Sequence, residues 1–170
     1  MLVQILAADK RSDLISITES CDRPHHQQPI QCGYCSSCIL RRQALAASKI
    51  EDKTRYVILH GKEPAGDPRV YFCHMSVQVR TFRSLLDASD RPDLQWENLA
   101  YKFPVLDEIV DRCSIIENLS TPDMRSRLIQ LYLSYVNEWN SAESQLSVGL
   151  LNSLDRQPLG KHKHKRKSVA

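Results

Sequence analysis

Residues 32–45 read CGYCSSCILRRQAL. Cys32, Cys35 and Cys38 are separated by two-residue gaps, and a run of helix formers follows at once. Gaps of two let successive sulfurs turn onto one ion. Gly33 permits an unusual backbone angle directly after Cys32. Cys38 lies about one turn beyond Cys35, at the start of the expected helix, where free amides stabilise thiolate charge. A fourth cysteine, Cys21, precedes Cys32 with ten residues between them. Four thiolates in a tetrahedron suit zinc, at about 2.3 Å. Cys21, Cys32, Cys35 and Cys38 are therefore the candidate ligands. Such a centre carries a formal charge of −2. Arg23, Arg41 and Arg42 are close enough in sequence to offset part of it.

Three other uses of these thiols compete. Iron–sulfur sites use similar gaps, but the common bacterial run adds a further Cys three residues on, followed by Pro. Here residues 39–42 are ILRR. Disulfides are disfavoured if the compartment is reducing. A Cys–His catalytic pair could use His25 or His26, yet nothing marks one thiol as a nucleophile. Cys73 and Cys113 lie on apolar stretches and read as buried core.

The chain has 170 residues, which suits one domain or a small domain with an extension. With 42% hydrophobic and 25% charged residues, a packed core is expected. No apolar run approaches the ~20 residues that cross a bilayer. The start, MLVQILAADKRSD, lacks a basic n-region and a cleavage site, so a cytoplasmic location and no membrane association are expected. The net charge of +3 belongs to the tail. Residues 156–170, RQPLGKHKHKRKSVA, hold six Lys or Arg and no acid, and the rest of the chain has three more acids than bases. That tail reads as a solvated, disordered terminus, with nucleic acid as its candidate partner.

The pattern along the chain is mainly helical with a few short strands. DLISITESC, RYVILH and RVYFCHM read as strands, the last two around the turn GKEPAGDP. Pro24 and Pro29 punctuate a loop. SSCILRRQALAASK, residues 36–49, predicts a helix with Leu40, Ala44 and Ala47 on one face. SVQVRTFRSLLDAS places Val79, Phe82, Leu85 and Leu86 in a stripe. FPVLDEIVDRCSIIENL repeats the period with Val105, Leu106, Ile109, Val110, Cys113 and Ile116. Thr121 as N-cap with Pro122 at the first position opens a last helix, with Leu128, Leu131, Tyr132, Tyr135 and Trp139 as its apolar face.

Ser20-Cys21, then CGYCSSC, Arg41-Arg42, Ala44, and Asp52, Thr54 and Tyr56 in EDKTRY together resemble the zinc end of the 7-cyano-7-deazaguanine synthases. The resemblance covers residues 11–57. It implies that the four cysteines are zinc ligands, near the C-terminal end of a doubly wound sheet of the ATP-pyrophosphatase type. It also implies a setting: ATP-dependent conversion of 7-carboxy-7-deazaguanine, through an amide, to the nitrile used in queuosine and archaeosine tRNA modification. The family opens with a loop Ser-Gly-Gly-x-Asp-Ser that cradles phosphates on backbone amides. The five glycines of this chain, at 33, 61, 66, 149 and 160, are never adjacent. About twenty residues precede Cys21, fewer than the roughly 30 of one βαβ unit.

The expected organisation follows. Residues 1–60 form a four-cysteine zinc-binding segment, the C-terminal fragment of the α/β synthase-like domain; 61–155 form a helical extension; 156–170 are the basic tail. The segment is not expected to be catalytic alone. ATP would enter only through a nucleotide-binding partner subunit, or the chain would form a homo-oligomer. The alternative is a stand-alone zinc interaction module whose basic tail binds nucleic acid.

Overall fold

The computed structural model describes residues 14–15, 18–22, 31–58 and 67–151, with side chains of the last helix up to residue 147. Among these residues the protein is mainly helical. Helix α1 spans Ser36–Ala47, α2 Arg69–Leu86, α3 Pro92–Lys102, α4 Val105–Glu117 and α5 Thr121–Leu151. The only bridge between extended segments among them is an isolated parallel one, Gln31 to Tyr56.

The boundaries have local causes. Pro68 precedes α2, and the Asp67 carboxylate accepts the Arg69 backbone N–H at 2.9 Å, stopping the first turn from fraying. Pro92 opens α3, where its missing N–H leaves no donor orphaned. Asn118 ends α4 in the left-handed conformation, φ 51°, which a short polar side chain tolerates. Ser120, rather than Thr121, caps α5: its Oγ accepts the Asp123 N–H and donates to the Asp123 carboxylate.

Helix α5 touches each of the other four helices and is the spine of the fold. It buries Met124, Ile129, Val136, Trp139, Ala142 and Leu146, a stripe at helical spacing, against the inner faces of α2, α3 and α4. Phe82 of α2 stacks on Tyr132, with ring centroids 4.6 Å apart. Trp96 of α3 is buried with its indole N–H donated to Asp107 of α4 at 2.9 Å, so the ring brings no unpaired donor inside. Ile39 of α1 joins the same core. A second, smaller core surrounds the cysteines, and Phe72 packs against both while meeting Trp139 at 5.5 Å.

Several expectations fail. RVYFCHM is the first part of α2, not a strand. Its β-branched and aromatic residues look extended locally, but burial at helical spacing decides. Among the described residues of DLISITESC there is no strand: Leu14 and Ile15 are helical and residues 18–21 irregular. RYVILH contributes only the bridge at Tyr56 among its described residues. In α1 the buried side chains are Cys38, Ile39, Arg42, Gln43 and Leu45, and Leu40 points outward. In α4, Leu106 and Val110 are buried, while Val105, Ile109 and Ile116 are exposed. Leu131 is likewise exposed. Cys73 is exposed, whereas Cys113 is half-buried beside the core. The expectations for residues 1–10, Pro24, Pro29, the turn GKEPAGDP up to residue 66, and 156–170 lie outside the described residues.

The inner and outer faces of α5 should separate in unfolding experiments on the metal-loaded chain. Trp139→Ala is expected to lower the unfolding free energy by about 3–5 kcal/mol. Leu131→Ala should change it by no more than about 0.5 kcal/mol.

Candidate metal centre

The sulfurs of Cys21, Cys32, Cys35 and Cys38 all lie within 4.8 Å of one another. Cys32, Cys35 and Cys38 are buried and Cys21 is half-buried. The Cys32 and Cys38 sulfurs stand 3.8 Å apart. That is the edge of a tetrahedron with metal–sulfur bonds of about 2.3 Å, and far beyond a disulfide bond of about 2.05 Å. All six cysteines are free thiols.

The loop geometry explains the convergence. Gly33 has φ +81°, which reverses the chain immediately after Cys32. A Cβ there would meet Tyr56 Cβ at 2.8 Å and Ile58 Cγ1 at 3.0 Å. The reversal lets the Cys35 N–H donate to Cys32 Sγ at 3.2 Å, and the Cys32 N–H donates to Cys21 Sγ at 3.5 Å. Cys35 is the N-cap residue of α1, so the helix presents its positive end to the cluster. The Asp22 carboxylate accepts the hydroxyls of Ser36 and Ser37, which ties the Cys21 limb of the loop to that helix start.

Gln31 does what no motif announced. Its side chain is buried, its Oε1 accepts the Ser20 hydroxyl at 2.9 Å, and its Nε2 donates to Thr18 O at 3.0 Å. Its carbonyl accepts the Val57 N–H at 2.9 Å. One residue thus positions the segment before Cys21 and the segment after Arg55, next to Cys32. The only available sequence signal was its place directly before the first cysteine of the trio.

The other motif residues converge on the same region. Arg41 donates to Thr18 Oγ1 at 2.7 Å, to Thr54 Oγ1 at 3.1 Å and to the Ile15 carbonyl. Asp52 accepts the Thr54 N–H at 3.0 Å and the Tyr56 hydroxyl at 2.7 Å. Burial pushes the Tyr56 phenol above its usual range, and the Asp52 hydrogen bond reinforces this, so the phenol stays protonated and donates. Arg42 donates to the carbonyls of Gly33 at 3.1 Å and Gln145 at 3.4 Å. Arg23, His25 and His26 lie outside the described residues.

Thiols this close cannot all ionise unaided. Hydrogen bonds from Cys32 and Cys38 hold the Cys35 thiol well below the usual thiol range. Its negative partner pushes Cys32 up to about 11, with burial adding to the rise. Cys38 is raised by its contacts with Cys32 and Cys35, and by burial. A cation is needed before the cluster can carry more charge. Four sulfurs also fill a tetrahedral shell and leave no position for a substrate. The cluster can hold a metal ion such as zinc.

No family model, curated protein or solved structure matches the chain. Among the described residues no helix is long and apolar enough to cross a membrane.

Gly33→Ala combines a left-handed backbone angle with a clash against Tyr56. It should cost the metal-loaded protein about 1–3 kcal/mol in equilibrium unfolding. Wild-type stability in that variant would contradict the turn described here.

Proposed function

We propose that the four cysteines hold one zinc ion with a structural role, and that the ion folds the segment on which the helical body rests. The observation that carries this reading is the convergence of four cysteine sulfurs within 4.8 Å, three of them on buried residues. Zinc is the preferred ion because a closed tetrahedron of thiolates suits its filled d shell. Binding free energy would appear as folding free energy of the loop and its small core.

We further propose that this is the zinc-bearing part of a 7-cyano-7-deazaguanine synthase-like protein. The support is the ordered set Ser20-Cys21, CGYCSSC, Arg41-Arg42, Asp52, Thr54 and Tyr56, whose side chains gather around one centre. The segment is not catalytic alone. A partner subunit would have to supply the phosphate-cradling loop before ATP could be used.

Purified chain should bind one zinc per molecule by native mass spectrometry, and should not hydrolyse ATP. Cys32→Ser or Cys38→Ser should abolish stoichiometric binding, while Cys73→Ser should leave it intact. ATP turnover by the pure polypeptide would refute the non-catalytic reading. Loss of zinc in Cys73→Ser would refute the ligand set.

The pH dependence has a defined sign. Cys32 and Cys38 are raised in the free cluster, so both must release protons when a metal binds. Zinc affinity should therefore rise with pH, by at least about a hundredfold per unit between pH 6 and 8. Chelator competition at several pH values measures the slope, and a flat profile would contradict thiolate ligation.

A further inference from the structure

Arg42 is a charged side chain buried to 8% exposure. Among the described residues no carboxylate forms an ion pair with it. Its guanidinium donates to neutral carbonyls, Gly33 on the cysteine loop and Gln145 on α5. It also lies over the Tyr56 ring, 5.6 Å from the centroid. A buried cation without a counter-charge costs several kcal/mol. Burial presses Arg42 below its usual range, and the Asp52 carboxylate acts in the opposite direction. The guanidinium nevertheless stays protonated at neutral pH.

Three nearby groups can supply negative charge. Glu51 lines the same cavity as Arg42 but is exposed and pairs with Lys53 at 3.8 Å. The Asp52 carboxylate is already engaged by the Thr54 N–H and the Tyr56 hydroxyl. The third is the cysteine cluster. Cys38 lies four residues before Arg42 on α1, one helical turn away on the same face. Gly33, whose carbonyl Arg42 holds, directly follows the ligand Cys32. Four thiolates around a divalent ion carry a net charge of −2, which the metal-free thiols do not.

From this juxtaposition we infer that Arg42 is a positioning residue that couples metal occupancy to the docking of α5. It acts through charge on the metal–thiolate centre and through its hydrogen bond to Gln145 on the long helix. The inference rests on the metal reading proposed above. The two effects are reciprocal, as linkage requires. A bound ion favours the buried guanidinium, and so the seated C-terminal part of α5. The seated guanidinium in turn tightens metal binding. Gln43, one residue on, donates to Tyr135 O at 3.3 Å and gives α1 a second attachment to α5 that carries no charge. Metal removal should therefore loosen α5 near Gln145 more than near Tyr135.

The test uses the full chain, with zinc as the probe. Zinc affinity is measured by chelator competition for wild type, Arg42→Lys and Arg42→Gln. Hydrogen exchange along α5 is followed with zinc and after chelation. Arg42→Gln keeps a donor and loses the charge, and should weaken zinc binding about 10- to 100-fold. Arg42→Lys keeps the charge and should bind at least about fivefold more tightly than Arg42→Gln. In wild type, chelation should raise exchange at residues 142–147 before it does so at 132–137. Equal affinities in all three proteins, or equal losses in both variants, would overturn the charge coupling. Should Arg42→Gln fail to fold, wild-type exchange that is unchanged at 142–147 on chelation would overturn the inference by itself. A wild-type chain that binds no zinc is a separate outcome, which removes the metal reading and this inference with it.

Discussion

Sulfur atoms that lie within 4.8 Å of one another, mostly out of water, pose an electrostatic problem. As thiols they waste their strongest interaction, and as thiolates they repel. A divalent cation at their centre would resolve the conflict. It would turn mutual repulsion into four strong bonds and leave a residual charge of −2. The surroundings would suit that charge. The N-terminus of α1 faces the cluster, backbone N–H groups of Cys32 and Cys35 point at sulfurs, and Arg42 is buried one turn away.

The loops around the cluster share a small apolar core with Tyr34, Tyr56 and Ile58, and side-chain hydrogen bonds join them further. Gln31, Arg41 and Asp52 each bridge backbone or hydroxyl groups from separate stretches. This small polar knot is attached to a conventional helical core by Ile39, Phe72 and the α1–α5 seam. Helix α1 therefore carries both attachments, with its N-terminus at the cysteines and its buried face on the helical body. Loss of a bound ion would act first on this knot, since the larger core of α2 to α5 is mainly apolar.

The cysteine set was legible because ligand spacing is written directly in sequence, and Gly33 marks its own turn. Helix α1 was legible from composition, ending within two residues of its expected limit. The buried face of α1 was not, since Leu40 and Ile39 are adjacent and only the position of α5 decides which one points inward. The same holds for α4, where six apolar positions span an arc wider than its neighbours cover. Helix α3 went unread because it has only two buried side chains, Trp96 and Leu99, although Pro92, Asp93 and Lys102 stand where helix ends favour them. Gln31 was invisible for a different reason. Its importance lies in simultaneous tertiary hydrogen bonds to Thr18, Ser20 and Val57, and no local pattern encodes these.

Sulfur-only coordination of one ion is the central claim, and X-ray absorption at the zinc edge of the loaded chain reads it directly. The spectrum should show four sulfur scatterers in a single shell at about 2.3 Å, with no nitrogen or oxygen neighbour in the first shell. A shell containing nitrogen or oxygen, or only three sulfurs, would mean that Cys21 and the downstream trio do not share the ion.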